Sequence, residues 1–525
     1  MAKRFRKLSI TIFLVALTCF MMSSPLPSHA GKLKPPKESF TPGDWFLGDT
    51  PPNLDPSKPP IVFVQGKNGS STSWYGETVY HGVNDMYTKA YNAGYQSVFV
   101  QLHDAAGNGS ASQYANGRLL ASMLSEISNH FSGKKVNIIA HSKGGPDTQA
   151  ALVQYGAYRY VGKVFTLGSP HHGSHLADLS YSWYAGWLGS LLGQQDDGTY
   201  SLQTGEMAKF RSVIDSNSNI SKNKYYTIAG TDHGPSFSAL SMGAAYLSSY
   251  GSNDGLVNEW SAKLPYAAHL FTDPALDHDN VRMGSAIFPR IEPYLRNAAI
   301  TGTAGINTSI STESQPIMTD SSQYVNGGLL RQQQWSEEHF YVNQQTKGTV
   351  TVYTASPDVE VQLVSKDGKV FTGKQIDADG SFLSGAYIHT IQMPSLSVGD
   401  WTVRIKSGAA QDAYLLTASF FGKEPVSLEM PGVMKAGKGK FTVKLPASMK
   451  KSTGNLSFNI HLIDRNGNAV KQPAVLDSDD GQLFTGILAQ VPYSGVYNMT
   501  IDIKRTLPNG KESVRSIIRS VYITK

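Results

Sequence analysis

Between residues 59 and 300, short apolar runs alternate with longer mixed segments. Each run has the length of one buried strand, and the runs are residues 60–64, 97–102, 136–140, 164–167 and 225–229. Helical periodicity separates them, most clearly over residues 83–93 and 116–131. Strands that alternate with helices predict an α/β domain, in which a mostly parallel sheet is covered by helices on both faces.

Beyond residue 300 the apolar positions change from runs to alternation. A connector rich in Thr, Ser, Gly and Asn lies near residues 301–315. Apolar residues then recur at every second position, which is typical of half-buried antiparallel strands. The alternating positions are Val359, Val361 and Leu363 in one predicted strand, and Leu456, Phe458, Ile460 and Leu462 in another.

A faint internal repeat divides this second region in two. The turns Asp367-Gly368 and Asn466-Gly467 each follow a predicted strand, and units of about 100 residues with this texture fit immunoglobulin-like β-sandwiches. The repeated spacing is Gly399-x-Trp401-x-Val403-x-Ile405 and Gly495-x-Tyr497-x-Met499-x-Ile501. We therefore predict an α/β domain over residues 59–300 and two all-β sandwich modules over residues 308–422 and 423–525.

The first 30 residues have the features of a secretory signal peptide. Basic residues precede an apolar run over residues 10–22, and Ser28-His29-Ala30 offers a cleavage site. The segment holds four of the 46 basic residues and none of the 40 acidic ones, so its removal leaves a formal charge of +2. A balanced surface gives no electrostatic reason to expect nucleic acid as a partner. We expect a secreted, extracellular protein with a proline-rich lead-in over residues 31–58.

The single cysteine, Cys19, lies inside the predicted signal peptide. The exported chain is therefore expected to hold no disulfide, no haem-type thiol and no zinc–thiolate site. After the signal peptide, no unbroken apolar stretch reaches about 18 residues, so no transmembrane segment is predicted. The sequence leaves the oligomeric state open.

The apolar run over residues 136–140 ends in His141-Ser142-Lys143-Gly144-Gly145. A buried strand that turns sharply into a helix would present Ser142 at its tip, with room for the bend at Ala140 and Gly144. The small-x-Ser-x-Gly pattern also recurs by chance, but the preceding strand favours a nucleophile elbow. Ser142 is the predicted nucleophile.

A serine hydroxyl needs a histidine base, and the histidine needs a carboxylate that holds its tautomer. Both are expected after the serine in sequence. Asp254 is the predicted acid, in a turn just beyond a strand, and an ordinary Asp-Gly turn is the alternative. His278, 24 residues later, is the predicted base, whereas His269 in a strand-like segment is the runner-up.

Negative charge that develops on a carbonyl oxygen must meet hydrogen-bond donors already in place. The backbone N–H of Lys143, directly after the serine, is one predicted donor. The other is expected in the loop after the first strand, Gln65-Gly66-Lys67-Asn68-Gly69, where we assign the backbone N–H of Lys67. A plain glycine turn is the alternative interpretation of this loop.

Taken in order over residues 59–297, these segments resemble secreted bacterial lipases and esterases of the α/β-hydrolase fold. Ala140 in place of the first glycine of the elbow is similar to bacillar lipases, whereas two later segments resemble pseudomonad-type lipases. Those segments are Gly168-Ser169-Pro170-His171-His172-Gly173-Ser174 and Asn253-Asp254-Gly255-Leu256-Val257, with His278 beyond them. The β modules lie outside the smaller members of this family.

Two positions depart from the family pattern. Gln65 stands where the oxyanion loop usually starts His-Gly, so the support of that loop must differ. In pseudomonad-type enzymes a carboxylate two places after the base helps to bind structural calcium, but here that position is Asn280, with Asp279 one place earlier. Because calcium takes oxygen ligands, the site has lost a charged one. We expect no organic cofactor and leave structural calcium open.

A stripe of large apolar residues between the predicted nucleophile and acid has helical spacing. Because it follows the Gly173-Ser174 loop, we expect it beside an acyl pocket, either as a lid that opens at an oil–water surface or as helices packed on the enzyme body. The stripe consists of Leu176, Leu179, Trp183, Tyr184, Trp187, Leu188, Leu191 and Leu192.

The sequence thus predicts a secreted serine hydrolase of carboxylic esters, in first place a lipase that cleaves acylglycerols or similar apolar esters through an acyl-enzyme. An extracellular polyester depolymerase of the polyhydroxyalkanoate type is the nearest alternative, since β modules could hold it on an insoluble polymer. An alternative of another class is a catalytically inactive surface-binding protein that uses sandwich loops. Against it, every triad position holds a competent residue.

Overall fold

The structure is a computed structural model that describes residues 33–107, 109–192, 196–299, 321–377, 382–422, 425–449, 455–471, 478 and 480–525. The predicted signal peptide, the connector near residues 301–315 and the predicted boundaries at residues 300, 308 and 423 lie outside this part of the chain. The domain limits therefore stay predictions. The described residues from Pro35 onward belong to one compact unit.

The α/β region contains the following elements. Its strands are β1 (Trp45–Leu47), β2 (Ile61–Val64), β3 (Ser97–Val100), β4 (Val136–His141), β5 (Val161–Leu167), β6 (Lys224–Gly230) and β7 (Ala268–Asp273). Its helices are α1 (Met86–Asn92), α2 (Gln113–His130), α3 (Gly144–Gln149), α4 (His175–Ser180), α5 (Gly186–Leu192), α6 (Asp197–Ser201), α7 (Thr204–Ile214), α8 (Ala239–Leu247) and α9 (Gly284–Leu295). A π-helical turn, Ala150–Gln154, continues α3, and the 3-10 helices are Ser71–Trp74, His103–Ala106, Ala157–Tyr160, Trp183–Ala185, Ser218–Lys222, Ser248–Tyr250 and Asn280–Arg282.

These strands form one seven-stranded sheet in the order β1-β3-β2-β4-β5-β6-β7. Neighbouring strands are parallel except for β1, which pairs antiparallel with β3. β2 to β5 are buried along their whole length, as expected for strands covered on both faces, and this explains why their sequences are continuous apolar runs. The predicted α/β fold with a mostly parallel sheet is confirmed.

The five predicted apolar runs correspond to β2 to β6, and the two predicted helices correspond to α1 and α2. In contrast, β1 lies inside the predicted proline-rich lead-in and was not predicted. Three residues are too few to show a period, and β1 forms only because β3 offers it a free edge.

The first part of the β region is a sandwich of two antiparallel sheets, ordered β13-β14-β10-β16-β8 and β12-β11-β15-β9. Val361, Leu363, Trp401, Val403 and Ile405 are buried in its core, as the alternating pattern predicts. Its strands are β8 (Ser321–Leu330), β9 (Trp335–Val342), β10 (Thr346–Thr354), β11 (Val359–Ser365), β12 (Val370–Thr372), β13 (Lys374–Asp377), β14 (Tyr387–Leu396), β15 (Gly399–Ser407) and β16 (Asp412–Phe421).

A second sandwich follows, with sheets ordered β17-β19-β22 and β18-β24-β23-β20-β21. Tyr497, Met499 and Ile501 on β23 point into its core, as the repeated spacing predicts. Its strands are β17 (Ser427–Glu429), β18 (Val433–Lys435), β19 (Lys440–Lys444), β20 (Leu456–Ile463), β21 (Ala469–Val470), β22 (Leu483–Ile487), β23 (Gly495–Thr506) and β24 (Glu512–Thr524), with a 3-10 helix at Ala447–Met449. The predicted all-β modules are confirmed as a fold class.

The α/β region and the first sandwich share an apolar core. Leu176, Leu179 and Leu188 of the predicted stripe pack in one buried cluster with Val325 and Leu415 of the sandwich. These three leucines are therefore covered by β strands in the full chain, whereas Leu191 of the same stripe is exposed. The buried part of the stripe agrees with the packed alternative rather than with a lid open to solvent. None of the described helices combines the length and the apolar character that a membrane crossing requires.

Candidate active site

Ser142 lies in the sharp turn between β4 and α3. Its φ of +52° falls in the left-handed region, which residues other than glycine rarely adopt. A Cβ atom on Gly144 would lie 2.5 Å from the carbonyl oxygen of Gln65, so only glycine fits there. The small-x-Ser-x-Gly pattern therefore has a steric cause, and the strained turn presents the serine hydroxyl at the carboxyl edge of the sheet.

The imidazole of His278 joins Ser142 to Asp254. Its Nε2 lies 3.0 Å from Ser142 Oγ, and its Nδ1 lies 2.9 Å from Asp254 Oδ2. The neutral tautomer that satisfies both contacts is protonated on Nδ1, so that Nδ1–H donates to the carboxylate and the serine hydroxyl donates to Nε2. The structure thus brings together the three residues that the sequence assigns to nucleophile, base and acid.

Asp254 is held in a tight turn. Its Oδ1 accepts the backbone N–H groups of Leu256 and Val257 at 3.1 and 2.8 Å, while its carbonyl oxygen accepts the N–H of His278 at 2.8 Å. The turn lies between the 3-10 helix Ser248–Tyr250 and β7, so the expectation that a strand directly precedes Asp254 was wrong. Backbone donors, rather than a strand end, aim the carboxylate at the imidazole.

The charge state of His278 depends on two opposing effects. Burial by itself lowers the pKa of the imidazole, whereas the charge and hydrogen bond of Asp254 raise it, and the net result is a raised pKa. A raised pKa makes the neutral imidazole a better proton acceptor. His278 is therefore suited to take a proton from the adjacent hydroxyl.

The backbone of the loop after β2 passes directly against Ser142. A Cβ atom on Gly66 would lie 2.8 Å from Ser142 Cβ. Lys67 lines the same cleft as Ser142 and His278. Among the described residues, neither the N–H of Lys67 nor the N–H of Lys143 has a backbone acceptor. Their role as the two oxyanion donors stays a prediction.

Gln65, which stands where this loop usually starts His-Gly, supports the loop through its side-chain amide. Its side chain is fully buried. In the orientation that satisfies both ends of its amide, it donates to the carbonyl oxygen of Val100 at 3.0 Å and accepts the N–H of Leu102 at 2.9 Å. The amide thereby ties the loop to the end of β3, which is the different support that the sequence required.

His141 is a part of the site that sequence reasoning did not identify. Its Nε2 lies 2.9 Å from the carbonyl oxygen of His278, and burial lowers the pKa of His141 well below its usual value. A neutral imidazole that donates from Nε2 therefore holds the main chain of the base. Its place immediately before the nucleophile is the signal that could have identified it.

Other histidines have structural partners. His171 is buried between Thr166 Oγ1 at 3.0 Å and Gln149 Oε1 at 3.1 Å. His269 lies on β7, 3.0 Å from Thr227 Oγ1 on the neighbouring strand. The runner-up base therefore has a hydrogen bond within the sheet and is not among the residues that line the cleft.

The segment after His278 holds an ion pair where pseudomonad-type lipases bind calcium. Asp279 Oδ1 lies 2.5 Å from Arg282 Nη2, and Asp279 Oδ2 accepts the N–H of Tyr80 at 2.8 Å. Asn280 Oδ1 accepts the N–H of Asp277 at 2.8 Å. Among the described residues, no group of three or more His, Cys, Asp or Glu side chains could hold a metal ion. Asp279 is thus neutralised by a guanidinium.

A cleft of about 330 Å³ opens onto Ser142 and His278. Its volume is at the lower end of the range for small-molecule sites. Phe382, which belongs to the first sandwich, reaches this cleft, and its carbonyl oxygen accepts the hydroxyl of Ser180 at 3.1 Å. The apolar lining consists of Val79, Pro170, Leu202, Leu240, Leu256, Val257 and Phe382.

The chain is similar to a solved bacterial enzyme along nearly its whole length. The Bacillus licheniformis lipase BlEst2 in its propeptide form is 32% identical over 92% of this chain and 98% of that chain, with a TM-score of 0.74. The mature form of that lipase is 47% identical over 49% of this chain and 99% of that chain, with a TM-score of 0.44. No protein-family model matches the sequence, and no curated protein matches it.

Proposed function

We infer that this chain, which belongs to the family of bacterial lipases and esterases of the α/β-hydrolase fold that includes the Bacillus licheniformis lipase BlEst2, is a serine hydrolase of carboxylic esters. The observation that supports this proposal best is the continuous hydrogen-bonded path from Ser142 Oγ through His278 to Asp254, at 3.0 and 2.9 Å. A nucleophile, a base and an orienting carboxylate at these distances are what acyl transfer requires.

The reaction proceeds through an acyl-enzyme. Ser142 Oγ attacks the ester carbonyl carbon while His278 Nε2 takes the hydroxyl proton, and Asp254 stabilises the imidazolium that forms. The N–H groups of Lys67 and Lys143 bind the oxyanion of the tetrahedral intermediate. His278 then returns the proton to the leaving alcohol, and a water molecule activated by the same imidazole hydrolyses the acyl-serine.

The decisive experiment compares the wild-type chain with Ser142→Ala on 4-nitrophenyl esters of short and long acyl chains. We expect wild type to release nitrophenol at a rate that falls by about 10⁶-fold in the variant, since removing one such nucleophile costs about that much. Equal rates in the two proteins would overturn the proposal. That result would favour the inactive surface-binding protein, in which the β modules bind a ligand and the cleft does no chemistry.

The apolar lining of the cleft supports an ester of an apolar acid as the substrate. Leu202, Leu240 and Leu256 line the same cleft as Ser142, and such apolar side chains bind acyl groups by excluding water. A lipase acting on acylglycerols fits this lining. Because the cleft of the full chain is small, we expect short acyl chains to react faster than long ones.

A polyester depolymerase remains the second candidate within the same chemistry. It would need a groove that accepts a polymer chain, and the full chain instead has a cleft that Phe382 reaches. Release of soluble hydroxy acids from polyhydroxybutyrate film, at a rate comparable to the hydrolysis of tributyrin, would favour the depolymerase. Activity on tributyrin alone would favour the lipase.

We further propose that the β region serves as a propeptide in this chain. BlEst2 was solved in a propeptide form, which this chain matches over 92% of its length. In the full chain the first sandwich covers the apolar face of α4, α5 and α8, and Phe382 reaches the cleft. A propeptide in this position would restrict large substrates until it is removed.

Secretion is also part of the proposal. Residues 1–30 have the charged, apolar and small-residue regions of a signal peptide. An extracellular location fits a hydrolase of water-insoluble esters. Expression of the full chain in a Gram-positive host, followed by N-terminal sequencing of the protein in the medium, tests this: a mature N-terminus at Gly31 supports it, and retention in the cell contradicts it.

A further inference from the structure

Lys143, one of the two residues whose backbone N–H is assigned to the oxyanion, has a side chain that enters a buried ionic cluster. The other residue, Lys67, has a side chain that pairs with Asp196. Lys143 is fully buried, and its Nζ lies 2.9 and 3.0 Å from the two carboxylate oxygens of Asp147. The same Nζ lies 4.0 Å from Asp104 Oδ2. Lys67 Nζ lies 3.2 Å from Asp196 Oδ2. Charged groups at this depth persist only where they are paired and hydrogen-bonded.

Asp104 is the centre of this cluster. It lies in the 3-10 helix that follows β3, and only 2% of its surface is exposed. Its Oδ1 accepts the backbone N–H of Asn68 at 3.1 Å and also the Ser110 hydroxyl. Its Oδ2 accepts Asn116 Nδ2 at 2.6 Å, and that amide also reaches Asp147 at 2.9 Å.

The carboxylate of Asp104 therefore connects the oxyanion loop to the turn that holds the nucleophile. On one side it binds the N–H of Asn68, the residue directly after Lys67. On the other side it faces the ammonium of Lys143, the residue directly after Ser142. The two donor N–H groups belong to different chain segments, and this cluster is where polar contacts join those segments.

Backbone strain in the loop increases the need for such a connection. Asn68 has a φ of +54°, in the left-handed region that asparagine adopts less readily than glycine, although more readily than most other residues. Although burial by itself raises the pKa of Asp104, the Lys143 ammonium and the hydrogen bonds outweigh it, and the pKa of Asp104 is lowered. An ionised carboxylate is a strong acceptor, so it can hold the strained N–H in place.

We propose that Asp104 and Lys143 are positioning residues of the oxyanion hole: their buried contact sets the distance between the two backbone N–H groups that bind the oxyanion. The inference rests on the proposed ester hydrolase function. Neither side chain touches the substrate, and both act through the main chain of Lys67 and Lys143.

The test uses the full chain and a matched pair of substrates, an oxygen ester and the thionoester in which sulfur replaces the carbonyl oxygen. N–H groups bind an oxyanion much better than a thiolate-like sulfur, so a misplaced oxyanion hole slows the oxygen ester more than the thionoester. The rate ratio of the two substrates therefore reports on the hole and is insensitive to a loss of folded protein.

We expect Asp104→Ala and Lys143→Met to lower kcat for the oxygen ester by about 10-fold to 100-fold, less than the 10²–10³-fold cost of losing a donor outright, with KM little changed. The oxygen-to-sulfur rate ratio is expected to fall by a similar factor. Asp104→Asn retains an acceptor oxygen for Asn68, so its ratio should lie between those of wild type and Asp104→Ala. It also serves as a milder variant if Asp104→Ala does not fold.

The matched control is Lys163→Met. Lys163 is another buried lysine, whose Nζ lies 2.8 Å from the carbonyl oxygen of Tyr294 and 2.8 Å from Asn297 Oδ1, near the start of β5 and away from Ser142. We expect it to lower stability without a change in the rate ratio. An unchanged ratio in Asp104→Asn and Lys143→Met overturns the positioning role, whatever happens to kcat.

The failure of this inference is distinguishable from the failure of the proposed function. If wild type and Ser142→Ala hydrolyse the oxygen ester equally, the proposed function fails and the inference fails with it. If Ser142 is required but the rate ratio is the same in wild type and the two cluster variants, only the positioning role is lost.

Discussion

Two His–Asp pairs in the described part of the chain are buried on both sides and have nearly the same geometry, in two different regions. At the cleft, His278 Nδ1 lies 2.9 Å from Asp254 Oδ2, and beneath the β region His175 Nδ1 lies 2.9 Å from Asp178 Oδ2. Only the first pair has a hydroxyl on the other ring nitrogen, at 3.0 Å, and a cleft beside it. A His–Asp contact is therefore no sign of catalysis until its third partner and its access are known.

The surroundings also set the two imidazoles apart chemically. The net effect of burial and Asp254 is to raise the pKa of His278, whereas burial outweighs Asp178 and lowers the pKa of His175. The Asp178 carboxylate is shared with other donors, namely Ser520 at 2.5 Å and Thr204 at 2.7 and 3.0 Å. Its charge is thus distributed over several hydrogen bonds, which makes it part of the contact between the α/β region and β24.

The largest expected effect separates the two histidines. We expect His278→Ala to lower kcat on a 4-nitrophenyl ester by about 10⁶-fold, because the only base in reach of Ser142 is lost. His175→Ala should retain activity within a few-fold and instead lower the melting temperature, since the ring stacks on Tyr250 with centroids 3.7 Å apart. Steady-state kinetics and thermal unfolding of both variants measure this. Comparable losses of kcat would contradict the distinction.

The next effect separates the two carboxylates. Asp254→Asn should lower kcat by about 10⁴-fold, because the amide no longer stabilises the imidazolium or holds the Nδ1–H tautomer. Asp178→Asn should lower the free energy of unfolding by roughly 3 kcal/mol, because it removes the charged carboxylate on which a buried hydrogen-bond network depends. Urea unfolding and kcat, measured on both proteins, test the pair. A stable Asp178→Asn with low kcat would show that the interface pair acts in the reaction.

A smaller effect is expected from changing how the β region limits access of substrates to the cleft. Phe382→Ala should raise kcat/KM for a long-chain ester relative to a short-chain ester by about 3-fold to 10-fold, a gain of roughly 1 kcal/mol in binding. Phe421→Ala, which removes an exposed phenylalanine at the end of β16 in the same sandwich, is the control and should leave the ratio unchanged. A Phe382→Ala protein with the wild-type chain-length profile would argue against the propeptide proposal.

The smallest effect is the pH dependence of stability at the interface. Burial lowers the pKa of His175 in the folded chain, whereas in the unfolded chain this pKa has its usual value of about 6.5. The unfolded chain therefore binds more protons than the folded chain when the pH falls below about 6.5. The free energy of unfolding therefore falls as the pH decreases through about 6.5.

The His175→Gln variant isolates this contribution. Other buried histidines with a lowered pKa, such as His141 and His171, destabilise the fold at low pH in the same direction. The measured quantity is therefore the difference between variant and wild type. We expect the melting temperature of His175→Gln to depend less on pH than that of wild type. An identical pH dependence would show that His175 does not titrate differently on folding.

Much of the α/β region could be predicted because its signals are local. Buried parallel strands need continuous apolar runs, so β2 to β6 were visible as such, and the elbow around Ser142 was visible because only glycine fits at position 144. β15 was visible through its alternation, since only one face of that strand is buried. β23 carries the same apolar spacing, although both of its faces are buried in the full chain. In contrast, β1 has three residues and no period of its own.

Some features of the site depend on contacts between distant segments and left no local pattern. Asp104 lies 36 residues after Asn68 and 39 before Lys143, so their contact was not visible in the sequence. The support of the oxyanion loop by Gln65 required the end of β3, and the support of His278 by His141 required two segments 137 residues apart. The turn of Asp254 was also misplaced relative to the strands.

The fold class and the residue types at the candidate site could be inferred from local sequence patterns. Burial of a strand or helix on one face or on both faces leaves a characteristic spacing of apolar residues within that single segment. Contacts between distant segments, in contrast, select which of the two His–Asp pairs meets a serine, join the Asp104 carboxylate to both the oxyanion loop and the Lys143 ammonium, and bury part of the apolar stripe under a β sandwich. Those outcomes depend on the distance between segments far apart in the chain, and charge, hydrogen bonding and desolvation act through that distance.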